Sequence, residues 1–254
     1  VKMNTTCRII LGSASSRRQQ LLEGTNLPFT VEPVNVPETI TLHLGANPEG
    51  SPYLQGANPR EIPLLLARTK SLAFPRPLKA DELLITADTL VFSEVLAEAH
   101  TGAEAQSGTG VQTGREAQSV TGVQTAVSGT DTRWRVLGKP ASAREAYRML
   151  EQLSGSCHKV ITGICLRFGD QRAHPDPIVF SDTSLVWFMP LLPEEIWYYV
   201  NKYKPYDKAG SYGVQEWIGY IGIERIEGSY FNVMGFPVHL LWKYLKELHV
   251  ISFS

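Results

Sequence analysis

Two adjacent arginines, Arg17 and Arg18, stand in the stretch Leu11-Gly-Ser-Ala-Ser-Ser-Arg-Arg-Gln-Gln-Leu-Leu22, directly after the short apolar strand Arg8-Ile-Ile-Leu11. Ser16 reads as the N-cap of a helix, with Gln19 at the capping-box spacing. A helix start presents free backbone N–H groups that favour anions, and two guanidinium groups add fixed charge. The small residues before the helix let a ligand approach the backbone closely. With Ser13, this strand-to-helix turn predicts a phosphate or carboxylate site.

A carboxylate comes next. Asp88, followed by Thr89, ends the buried-type strand Leu83-Leu-Ile-Thr-Ala87. Open α/β sheets place ligands at the carboxyl ends of their strands. There Asp88 could hold a divalent ion or take a proton from water; a turn-forming Asp is the plainer alternative. Glu38, after a second strand, is a candidate partner in metal binding, with Glu32 as its alternative. Three lysines are candidate point-charge phosphate ligands. Lys70 lies late on a helix, Lys139 sits in Gly138-Lys-Pro140, and Lys208 in Asp207-Lys-Ala-Gly-Ser-Tyr-Gly-Val-Gln215. Each alone reads equally as a surface lysine. The Gln215 amide both donates and accepts, so it could read the edge of a base.

Other chemistries find no support. The six histidines form no His-Glu-x-x-His pattern, which disfavours a zinc hydrolase. His158 reads as a structural hydrogen-bonding group. Ser13 and Ser15 lack a nucleophile elbow, and there is no Walker loop. A net charge of −1 over 254 residues gives no field for a nucleic-acid polymer or an acidic membrane. No apolar run approaches the roughly 20 residues that span a bilayer. Cys7, Cys157 and Cys165 show no metal spacing and fit a reducing, cytoplasmic compartment.

Positioning such groups requires a frame, and the pattern alternates strand and helix. Glu61 to Phe74 predicts a helix capped by Asn58, with Ile62, Leu65, Leu66, Thr69 and Ala73 on its inner face. Ser142 and Glu145 form a capping box before the stripe Ala146, Met149, Leu150 and Leu153. His158 to Phe168 and Phe180 to Met189 predict a strand pair. A short helix follows Pro193, Tyr220 to Ile226 predicts a strand, and Pro237 opens a last helix. The sum is one α/β domain over 1–254 with a mixed sheet. Two stretches read as insertions: a Gly/Pro-rich loop over 39–60, and a low-complexity loop over 96–132. The second holds Glu104-Ala-Gln-Ser-Gly-Thr-Gly-Val-Gln-Thr113 and its near copy Glu116-Ala-Gln-Ser-Val-Thr-Gly-Val-Gln-Thr125. That composition buries too little to offset its ordering entropy.

In order along the chain, these segments resemble the Maf family of nucleoside triphosphate pyrophosphatases. Ser13-Ala-Ser-Ser-Arg-Arg18, Ala87-Asp-Thr89, Leu137-Gly-Lys-Pro140, Leu153-Ser-Gly-Ser-Cys-His-Lys-Val-Ile-Thr-Gly163, Lys208-Ala-Gly-Ser-Tyr-Gly-Val-Gln215 and Gly228-Ser-Tyr-Phe-Asn-Val-Met-Gly-Phe-Pro237 carry the resemblance. The Lys-Ala-Gly-x-Tyr-Gly-x-Gln form is similar to the branch preferring dTTP and UTP. The family usually has Pro where Ser16 stands and Gly where Glu216 stands. The resemblance implies an elongated, twisted mixed sheet flanked by helices, with two lobes around a cleft. It implies hydrolysis of a nucleoside triphosphate to monophosphate and pyrophosphate. Asp88, Lys70 and Lys139 would be catalytic. Ser13, Arg17, Arg18, Thr89, Lys208 and Gln215 would bind substrate, and Glu38 with Asp88 would hold Mg²⁺ or Mn²⁺. A non-hydrolytic nucleotide-binding regulator of cell division, and an interaction protein using the repeat loop, are the alternatives. Oligomeric state, a homodimer included, stays open.

Overall fold

The computed structural model describes residues 1–34, 45–46, 52–54, 58–95, 133–170 and 172–254. Its elements run β1 (Met3–Thr5), β2 (Arg8–Leu11), α1 (Ser16–Glu23), β3 (Phe29–Val31), β4 (Gly45–Ala46), β5 (Pro52–Leu54), α2 (Glu61–Leu72), β6 (Glu82–Val95) and β7 (Arg133–Leu137). They continue through α3 (Ala143–Leu153), β8 (Cys157–Phe168), β9 (Ile178–Phe188), α4 (Pro193–Tyr203), α5 (Trp217–Gly222), β10 (Ile223–Glu227), α6 (Tyr230–Met234), α7 (Val238–Glu247) and β11 (Ile251–Phe253).

The long strand β6 organises the sheet. One edge pairs antiparallel with β8 from Leu83 to Ser93, and β8 continues to β9 and β10. The other edge is shared by two strands. Residues Glu82 to Ile85 pair parallel with β2, which carries β3 on its far side. Residues Val91 to Val95 pair antiparallel with β7. Between these partners, residues 86–90 have no strand beside them on that edge among the described residues. This fork splits the molecule into two lobes on a common sheet.

Side chains alternate across a strand, and the cores follow. On one face Ile85 and Ala87 pack with Leu22 of α1, Leu241 of α7 and Phe236 just before α7. On that face further along β6, Val91 packs with Leu150, Tyr199 and Ile218 of α3, α4 and α5. A polar row lies between the two clusters: Thr89 and Thr162 hydroxyls are 2.9 Å apart, and Asn232 of α6 donates to Val160 O (3.0 Å) and Ser184 Oγ (2.9 Å). The opposite face is covered by α2, whose Ile62 and Leu66 pack on Phe92 and Ile161.

Several expectations shift. The α1 N-cap is Ser15, one residue before Ser16, and its hydroxyl accepts from Arg18 N. Asp88 lies inside β6 and does not end it. The apolar run stops at Ala87 because the edge beyond it faces a cleft, while the ladder to β8 continues. Helix α2 starts at Glu61 and ends at Leu72; Asn58 Oδ1 accepts from Arg60 N (3.1 Å) ahead of it. Leu65 and Ala73 are exposed, and Pro63 and Ala67 are buried instead. Trp217–Gly222 is helical, so the following strand begins only at Ile223. Within 39–60, β5 pairs with β7 and β4 pairs with β5. Ser142 caps α3 as expected, its hydroxyl accepting from Glu145 N (3.2 Å), but the reciprocal bond of a capping box is not made to Ser142 N: Glu145 Oε2 accepts from Ala141 N (2.7 Å). The residues of the repeat lie outside the described set. Among the described residues no helix is long and apolar enough to cross a membrane.

Candidate active site

The fork in the sheet opens into a cavity of about 700 Å³. Ser13, Arg17, Arg18, Lys70, Asp88, Thr89, Lys139, Lys208 and Gln215 all line it, although they come from five separate stretches of chain. Glu38 lies outside the described residues. Glu32 is held elsewhere: Arg76 donates to both of its oxygens at 2.7 and 3.1 Å and also binds Glu82.

Arg17 and Arg18 do different work. Arg18 ties the fork together by donating to Gly235 O (2.9 Å), Ala87 O (2.8 Å) and Thr89 Oγ1 (3.0 Å). The carbonyl of Ala87 belongs to the unpaired stretch of β6, so Arg18 satisfies a backbone group that a neighbouring strand would otherwise take. Arg17 reaches across the mouth of the cleft to Asp207, at 2.5 Å. A helix start leaves its first N–H groups without intrahelical acceptors, and Ser15, Ser16 and Arg17 border the cavity at that start.

On the other wall, Lys70 projects from α2 and makes an ion pair with Asp88 Oδ1. The helix is held close by the Thr86 hydroxyl, which donates to Ala67 O at 2.7 Å. It is also held by Gly163, directly opposite Asp88 on β8, where a Cβ would come within 2.3 Å of Pro63 O. Lys70 lies about two turns along α2 from that contact. Both Lys70 and Asp88 side chains are 15% exposed.

The far end is built by the loop before α5. Lys208 is buried, with Nζ 2.8 Å from Asp207 Oδ1 and 3.0 Å from Glu216 Oε1. Burial pushes the Asp207 carboxyl up, but Lys208 and Arg17 outweigh it and hold the group at about 2. Gln215 Oε1 is buried with no hydrogen-bond partner among the described residues. Glu216 does not border the cavity; its carboxylate turns to Lys208 and the Tyr199 hydroxyl. His158 takes the structural role expected of it, 2.7 Å from the Tyr212 hydroxyl and fully inside the protein. The reading of single residues missed Asp207, Gly235 and α6. Asp207 was adjacent to a named lysine; a backbone carbonyl such as that of Gly235 leaves no trace in a side-chain pattern.

The described residues contain no group of three or more His, Cys, Asp or Glu placed to hold a metal. A hard cation such as Mg²⁺ needs less from a protein, often one or two carboxylates with substrate phosphates and water. Asp88 supplies one: Lys70 occupies Oδ1, and the cationic groups around it would bring a polyphosphate alongside.

Fold and site together define an α/β protein with a cleft lined by cationic side chains at a forked sheet. Comparison with known proteins is specific: the Maf-like protein family matches residues 8–136 and 124–248. The chain belongs to the Maf family. A dTTP/UTP pyrophosphatase of Porphyromonas gingivalis is 40% identical over 243 residues, 94% of each chain. One of Parabacteroides distasonis is 39% identical, covering 94% of this chain and 95% of its own. One of Christiangramia forsetii is 35% identical, covering 94% and 93%.

Proposed function

We propose that this chain hydrolyses dTTP and UTP to the nucleoside monophosphate and pyrophosphate in the cleft between its lobes. The observation that carries the reading is Asp88, paired with Lys70 in a cavity that Arg17, Arg18, Lys139 and Lys208 also line, together with the unpartnered Gln215 Oε1. Names of the relatives above support the substrate.

Arg17, the α1 start and Lys208 would hold the triphosphate oxygens, with Lys139 adding charge where the leaving pyrophosphate develops its own. Asp207 would give up Arg17 to the phosphate and take water in exchange, since its own side chain is 60% exposed. A water on the Asp88 side attacks the α-phosphorus, its proton passes to the Asp88 carboxylate, and the bond to the α,β-bridging oxygen breaks. Lys70 keeps the carboxylate oriented and adds positive charge beside the α-phosphate. If Asp88 instead holds a divalent ion such as Mg²⁺, that ion would supply the charge neutralisation and a more acidic water. Glu38 is the second carboxylate we assign to it. At the other end, Gln215 Oε1 would accept from the N3–H that uracil and thymine carry and cytosine lacks. The nucleotide pool that such an enzyme acts on places it in the cytoplasm.

Pyrophosphate release from dTTP, UTP, CTP and GTP, with and without Mg²⁺ or Mn²⁺, tests the proposal. Release from dTTP and UTP at least about tenfold faster than from CTP is expected, since one discriminating hydrogen bond is worth about that factor. Binding without release from any of them would overturn it.

A further inference from the structure

We infer that Tyr199 and Glu216, on α4 and at the N-terminus of α5, are a positioning pair that holds Lys208 from behind the cavity wall without touching the substrate. The inference rests on the activity proposed above, and goes beyond it by assigning work to two residues outside the cavity wall.

A lysine on a four-carbon stem is a poorly fixed point charge unless something holds its ammonium. Two carboxylates touch Lys208 Nζ, and they differ. The Asp207 side chain is 60% exposed and is shared with Arg17. The Glu216 side chain is 21% exposed and is itself anchored. Its second oxygen accepts from the hydroxyl of Tyr199, a residue with no solvent exposure. That hydroxyl also accepts from Gly213 N at 3.0 Å, which leaves its own proton only Glu216 to go to. Burial and the neighbouring Glu216 both push the Tyr199 phenol upward, so it remains a donor. The Glu216 main chain is fixed as well. Its N–H donates to Gly213 O (3.0 Å), and its carbonyl accepts from Gly219 N (2.9 Å). Gly213 provides the cradle, because a Cβ there would lie 2.8 Å from the Glu216 carboxyl carbon.

The geometry therefore runs from a rigid core residue to a rigid carboxylate to a mobile cation. When a triphosphate takes Asp207's place, Glu216 is the contact that keeps Lys208 at its post. The acidic residue that stands where the family usually has Gly is neutralised by the lysine it positions, and its charge does not face the base.

A double-mutant cycle separates positioning from mere support of the fold. Pyrophosphate release from dTTP is measured for the wild type, Glu216→Gln, Lys208→Met and the double variant. Glu216→Gln alone is expected to lower kcat/KM by between about tenfold and 10²-fold, the scale of a small misplacement of a site group. Its division between kcat and KM should follow that of Lys208→Met. In the Lys208→Met background the same substitution should change kcat/KM by less than about twofold, since partners acting through one another are not additive. Equal losses in both backgrounds, or no loss in the wild-type background, would overturn the inference. Tyr199→Phe run through the same cycle covers the case in which Glu216→Gln does not fold. If the wild type releases no pyrophosphate, the activity is wrong, and the cycle is read instead as affinity for inorganic triphosphate by calorimetry. The same loss of coupling is expected there, and additive losses would sink the positioning role on its own terms.

Discussion

Asp88 and Lys70 neutralise each other at the wall of the cleft, and each is the other's main tether. Replacing Asp88 with Asn removes the base while keeping its shape. Steady-state assays should show kcat reduced by about 10²-fold or more, with dTTP still bound in calorimetry; turnover near wild type would remove Asp88 from the role. Gln215→Leu deletes the acceptor at the other end. The preference for UTP over CTP should then fall by about tenfold, read from the ratio of kcat/KM values. Both residues were visible in the sequence as residue types in suggestive settings. What their neighbours do was not. Arg18 looked equivalent to Arg17, yet it spends its donors on Gly235 O, Ala87 O and Thr89, while Arg17 faces Asp207 across the mouth. The difference depends on carbonyls brought in from chain positions far away.

Helix α2 shows how an element places a charge. Its buried face slides onto β8 at Gly163, and Lys70 reaches Asp88 only because the helix sits that low. Gly163→Ala would force the backbone of Pro63 and Leu64 away from the sheet. Overpacking of this kind costs about 1–3 kcal/mol, so the thermal midpoint should drop, and kcat should fall with it as Lys70 withdraws. A stable variant with full activity would show that α2 tolerates the shift. Local signals located most elements well. The Ser142–Glu145 spacing and the apolar stripe after it gave α3 from its own residues, since the hydrogen bonds that end a helix are made within a few positions. The end of β6 was misplaced because Asp88 and Thr89 look like a strand terminus. They are polar where β2 and β7 leave the strand uncovered.

Two lobes share one sheet, and acid should act on the whole molecule through groups buried in each. Burial holds His158 at about 3, against 6.5 for the free side chain. The unfolded chain therefore takes up a proton that the folded one refuses, and stability declines as pH falls from about 6.5 toward 3. Arg76 holds Glu82 at about 2, below its ordinary 4.5. That contribution is complete above pH 4.5 and is lost as pH falls toward 2. Thermal melts from pH 7 to 4 should show a falling midpoint, and His158→Gln should flatten it from about 6.5 downward, leaving the Glu82 share of the fall below about 4.5. The register across the 96–132 stretch makes a second prediction. Val95 and Arg133 pair directly, so an Asn-Gly turn can join β6 to β7. A chain shortened in that way should fold and retain dTTP hydrolysis within about twofold, a modest effect because loop length costs little. Loss of activity would give the stretch a part in the cleft.

By itself the sequence determined the alternation of strands and helices, the caps, and the residue types that can hold a polyphosphate and take a proton. These depend on neighbours a few positions away. Tertiary structure decided the rest. It forked the sheet at residues 86–90, turned Asp88 from a strand end into the floor of a cleft, and divided the work of two adjacent arginines. It also kept Glu216 off the cavity wall and gave it to Lys208. The fork and the partners of the two arginines join stretches far apart in the chain or depend on a backbone carbonyl, and the Glu216–Lys208 pair depends on the path of a loop; none of these leaves a periodic mark in a chain.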